Sequence, residues 1–113
     1  MVNPRDLLKR SLPREPVSVP GFGEVLVRAL TANEQDEIEH ARVKARDGAP
    51  FHLRAYVASI AVVDESGGQV FEPKDREALG HCADADLAPI VRMALNLSGA
   101  AEGTDAVEEA RGN

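Results

Sequence analysis

The sequence predicts an α+β fold, mainly helical, with an N-terminal β-hairpin followed by a small bundle of about four helices. Three observations predict it. Val17 and Val19, then Val25 and Val27, alternate at period two on either side of a Pro-Gly turn, and that spacing puts each pair on one strand face. Leu53, Tyr56, Val57, Ile60 and Ala61 recur at helical spacing, the clearest such stripe in the chain. Helix starts and stops then divide the remainder: Thr31 to Glu34, Pro50, Pro73 and an aspartate near 84–86 open segments, and Gly48, Gly80 and Gly99 close them.

Taken in order, Asn3 caps a short helix over 4–11, with Pro4 at the first position, where its missing N–H costs nothing. Leu7 and Leu8 would point inward. Pro13 and Pro16 end this helix and lead into extended chain. Pro20, Gly21 and Gly23 supply the hairpin turn. The second strand carries Leu26 on its other face, which predicts a face that is not fully solvated. Thr31-Ala32-Asn33-Glu34 is a capping box, each end of it satisfying a helix-start N–H of the other. Glu34, Asp36 and Glu37 near the start and Arg42, Lys44 and Arg46 near the end suit the helix dipole. The helix predicted is 32–46, stopped by Asp47-Gly48. Its buried stripe is thin, being Ile38, Ala41 and Ala45, so much of it faces water or a partner.

Pro50 opens the central core helix, about 51–62. Asp64 to Gly68 is a turn, flanked by Val62-Val63 and Val70-Phe71, which can form a tiny second hairpin. Pro73 starts a short helix, 73–79, ended by Gly80. Asp84 or Asp86 caps the last helix, and Pro89 favours the later start, because proline is tolerated only in the first turn. Leu87, Ile90, Val91, Ala94 and Leu95 are its buried stripe, and Gly99 ends it near Ser98. The organisation predicted is a basic segment at 1–14, a single globular domain at 15–99, and an acidic flexible tail at 100–113.

A chain of 113 residues allows one compact domain and not two ordinary ones. Aromatics are few, and tryptophan is absent, so the core must be aliphatic. The net charge of −6 argues against a free nucleic-acid binder, which would show a basic stripe. Charge is polarised: Arg5, Lys9, Arg10 and Arg14 dominate the first segment, while Glu102, Asp105, Glu108 and Glu109 dominate the last. That polarity would favour head-to-tail self-association, although charge runs are more often solvated ends. A lone Cys82 permits no intramolecular disulfide. No apolar run nears the ~20 residues that span a bilayer, and the N-terminus has no signal-peptide pattern. No membrane association is expected, and an intracellular soluble protein is.

The sequence offers no catalytic constellation. His40, His52 and His81 lack the spacing that sets two ligands on one helical face. Cys82 reads as a buried apolar filler rather than a nucleophile. Asp64 to Gln69 fails the calcium-loop pattern, which needs glycine sixth and glutamate twelfth where this chain has Gln69 and Asp75. Gly21-Phe22-Gly23 is too short for a phosphate cradle. Neither metal, cofactor nor enzyme activity is expected. Phe22, between two glycines at the hairpin tip, is either folded back onto the sheet or offered to a partner, folding back being the commoner outcome.

Three segments in order resemble the small tail assembly chaperones of long-tailed bacteriophages. They are VSVPGFGEVLVRALTANEQDEIE from Val17, HLRAYVASIAVVDESGGQVFEPKDREALG from His52, and LAPIVRMALNLSGA from Leu87. The resemblance covers about residues 15–100, and its order and spacing carry it. Ser98 and Ala100 depart from an Asn and a Leu expected in the last helix's ending, and Phe22 stands where an aromatic such as Trp is common. The resemblance implies a non-enzymatic protein of the host cytoplasm, absent from the finished virion. It would bind the tape-measure protein, keep it soluble and help recruit tail-tube protein, the latter through a longer frameshifted form. Candidate partner-contact residues, read from the hairpin tip and the thin stripe of the 32–46 helix, are Phe22, Ile38, Ala41 and Ala45. The alternative is a small acidic adaptor or antitoxin-like protein-binding module, using the 32–46 helix or the tail against a basic partner.

Overall fold

A tight hairpin begins the folded core. In the computed structural model, which describes residues 2–46, 48 and 51–99, strands β1 (Arg14–Val19) and β2 (Gly23–Arg28) pair antiparallel, Val17 opposite Val25 and Val19 opposite Gly23. The turn follows from its residues. Phe22 N–H donates to the Val19 carbonyl at 3.0 Å across Pro20-Gly21, and Gly21 takes φ 78°. Proline followed by a positive-φ glycine is the chemistry of a type II turn. Val17, Val19 and Val27 are buried on one face, as the alternation requires, and Leu26 on the other is half-buried.

The remaining elements are α1 (Ala32–Ala45), α2 (Leu53–Ala61), β3 (Val62–Val63), α3 (Arg76–Gly80) and α4 (Asp84–Leu97), with 3-10 segments at Pro4–Lys9 and Pro73–Asp75. The fold is therefore α+β and mainly helical. Helix α2 is central, packing on α1, α3 and α4, while α4 also lies against β1 and β2. One aliphatic core joins them, running from Val17 to Ala94.

Several expectations need correction. Leu7 and Leu8 are 68% and 78% exposed, because the N-terminal turn is a short 3-10 helix with nothing packed over it. Asn3 does cap it, its side chain accepting from Arg5 N–H at 3.1 Å. The tiny hairpin expected across the 64–68 turn does form, Asp64 N–H donating to the Gly68 carbonyl at 2.9 Å and Val70 N–H to the Val62 carbonyl at 3.2 Å around a Val63–Gln69 bridge. What was not expected is that Val62-Val63 also joins the first sheet as a third strand beside Leu26 and Val27. Helix α2 has no single stripe: Ala55, Ala58 and Ser59 are buried with Val57, Ile60 and Ala61, whereas Leu53 and Tyr56 are half-buried. Small residues on every side let neighbours approach all around it.

Helix α4 starts at Asp84, not after Asp86, with Ala83 in the capping position and no side-chain cap. Pro89 thus sits inside the helix, beyond the first turn where it costs least. Asp84 and Asp86 in the first turn suit the helix dipole, and Arg54 from α2 meets Asp84 at 2.8 Å in an exposed pair. Gly99 closes α4 at φ 80°. The expectations for Asp47, Pro50 and the 100–113 tail lie outside the described residues.

Candidate functional site

β3 is only two residues long, and this shortness shapes the surface. It covers β2 at Leu26 and Val27, so Gly23–Val25 have no strand on that side among the described residues. The gap opens a groove of about 400 Å³ between the hairpin tip, the 62–71 segment and the first half of α4. Its walls are apolar, including Val25, Leu26, Phe71, Leu87 and Ile90. Phe22 and Val70 stand at it with 79% and 51% exposure. Glu24 and Asp86 supply charge at its edge. A pocket of this size with apolar walls and few polar groups suits apolar side chains of a ligand or partner.

Phe22 is therefore not folded back. The turn glycines on either side carry no side chains to shelter it. Of the α1 residues, Ile38 is 7% exposed and belongs to the core, so it packs inward and offers no surface. Ala41 and Ala45 are half-buried. Ala41 lines a second cavity of about 440 Å³ with Phe51, Tyr56 and Arg76, remote from Phe22. The four residues proposed as contacts are thus not one patch.

The α1–α2–α3 junction is polar and well satisfied. The Tyr56 hydroxyl donates to Glu37 at 2.8 Å. Arg76 lies over the Tyr56 ring at 3.8 Å and donates from Nε to the Ser59 hydroxyl at 2.8 Å. Burial, then the Glu37 bond, push the Tyr56 hydroxyl above its ordinary value. Such a stacked and hydrogen-bonded guanidinium is an anchor between helices.

At the start of α1, Thr31 and Glu34 form the capping box the sequence predicted. Sequence reading missed a second role for Glu34. Its two oxygens accept from Arg28 Nη1 and Nη2 at 2.8 and 2.7 Å. Burial alone pushes the Glu34 carboxyl up, but the Arg28 and Thr31 hydrogen bonds outweigh it and hold it below the usual value. The Asp64 carboxyl is also lowered, chiefly by the Ser66 hydroxyl and then by the Gly68 N–H, in an exposed turn. Both are structural ties.

Cys82 corrects the reading of it as a buried filler. It is exposed, because residues 81–83 form the surface link between α3 and α4. Among the described residues no group of three or more His, Cys, Asp or Glu could hold a metal. No described helix is long and apolar enough to cross a membrane. Sequence reading found Phe22 through its glycine neighbours but not the groove, whose walls come from segments far apart in the chain, from Val19 to Ile90. The chain matches no family of known proteins, no curated protein and no solved structure.

Proposed function

We propose that the chain is a tail assembly chaperone of a long-tailed bacteriophage. It binds the tape-measure protein in the host cytoplasm, keeps it soluble and helps recruit tail-tube protein, without catalysis and without entering the virion. One observation carries this reading beyond the resemblance of the three sequence segments. An apolar groove lies open beside the exposed Phe22 and Val70. A groove of this kind takes the apolar face of a helix, and the client expected is long and helical. The acidic surface, net −6, keeps such a complex dispersed.

The test is co-expression with the tape-measure protein. It stays soluble and copurifies with the chain. Phe22→Asp with Val70→Asp, both at exposed positions, abolishes copurification and leaves the fold intact. A tape-measure protein that stays insoluble beside the native chain overturns the reading. A double variant that still copurifies moves the contact elsewhere.

The adaptor reading draws on a different observation. Helix α1 buries only Ile38 and exposes Asp36, Glu37 and Glu39, carboxylates that suit a basic partner. It is favoured instead if charge reversal on α1, and not the groove variant, removes a bound partner.

A further inference from the structure

The N-terminal segment and the groove are opposite in character, and neither is satisfied within one chain. Pro4–Lys9 buries none of its residues. In a 3-10 helix, side chains three apart eclipse one another. Three faces result: Pro4 with Leu7, Arg5 with Leu8, and Asp6 with Lys9. The last pair meets at 3.8 Å, which keeps the only acid of the segment on the third face. Leu7 and Leu8 lie on the two adjoining faces, with Arg5 beside them and Arg10 just beyond the helix. The segment is an apolar ridge flanked by cations.

The groove has the reverse polarity. Its floor is apolar, and Glu24 and Asp86 at its edge make no ion pair among the described residues. The ridge does not fill the groove of its own chain, since Leu7 and Leu8 remain 68% and 78% exposed and none of residues 2–9 lines the groove. We propose that Pro4–Lys9 of one copy docks in the groove of a second copy, Leu7 and Leu8 against the apolar floor, Arg5 and Arg10 beside Glu24 and Asp86. The leucines supply the affinity, and the charges set the orientation and the rate of encounter. Ridge and groove are different patches, so the contact is heterologous.

This inference does not rest on the chaperone reading; a client helix in the same groove would displace the second copy, so it is tested on the purified full chain without a client. In light scattering at low salt, the average mass rises above the monomer's 12.1 kDa as concentration increases. Leu7→Asp with Leu8→Asp holds the chain at monomer mass, with an unchanged circular dichroism spectrum because both leucines lie outside the core. Arg5→Glu with Arg10→Glu weakens association about tenfold, and so does Glu24→Lys with Asp86→Lys. Combining the two sets restores it. Glu24→Lys alone, at an exposed strand position, weakens it in the same direction without touching a helix. A strict monomer at every concentration overturns the proposal, as does association that survives the leucine variants or charge reversals that fail to compensate. Association lost on removing 100–113 but kept in the leucine variants assigns the contact to the acidic tail and overturns it equally.

Discussion

Arg28 and Glu34 meet through two hydrogen bonds at the junction of sheet and helix, with both side chains largely buried. Glu34 also accepts from Thr31 N–H at 2.8 Å, while the Thr31 hydroxyl accepts from Glu34 N–H at 3.1 Å. Thr31→Ala removes one of these and costs about 1 kcal/mol, read as a lower urea midpoint at neutral pH. Acid probes the same site. The folded-state value of Glu34 is depressed, so its contribution is present above the ordinary glutamate range and is lost as pH falls through the depressed value. Native stability therefore declines through that acidic window, and Glu34→Gln, already weakened at neutral pH, declines less steeply there. Equal slopes in urea titrations would show that Glu34 is not the group responsible. Tyr56→Phe, which removes only the bond to Glu37, costs about 1 kcal/mol and lowers the midpoint at neutral pH.

Among the elements, α4 carries the most informative disagreement between sequence and structure. Its stripe was legible because Leu87, Ile90, Val91, Ala94 and Leu95 repeat at helical spacing; the first four are buried and Leu95 is half-buried. Its start was not legible. Pro89 argued locally for a late beginning, and the contacts of α4 with α2, β1 and β2, against which it packs, join residues distant in sequence. Pro89→Ala restores a helical N–H and raises stability, by up to about 3 kcal/mol, measured by thermal melting. A drop would show that the ring is needed where it packs. The hairpin and capping box were legible for the converse reason, since both are written in contiguous residues. The groove was not, because it depends on β3 stopping after two residues. Ala58 and Ala94, both fully buried, let α2 and α4 approach closely. Ala94→Leu overpacks that contact and costs about 1–3 kcal/mol, again by urea midpoint.

At the scale of the whole molecule, the core runs from Val17 to Ala94 and owes nothing to the first twelve residues. Removing 1–12 leaves Pro13, whose carbonyl accepts from Ala29 N–H at 2.8 Å. The truncated chain stays within about 0.5 kcal/mol of the full one, while losing self-association. A larger loss in its melt would mean that the segment packs on the core after all. One further tie spans almost the entire fold. The Ser98 hydroxyl accepts from Leu30 N–H at 2.8 Å, fastening the far end of α4 to the chain just before α1. Since α4 also covers β1 and β2, the hairpin has no lid until the last of these residues leaves the ribosome. Translating 29–98 takes roughly 4 to 14 seconds at ordinary elongation rates. For that interval the nascent chain presents its valine face uncovered. The order of synthesis thus makes Ser98 a latch that closes after every other described element has been made.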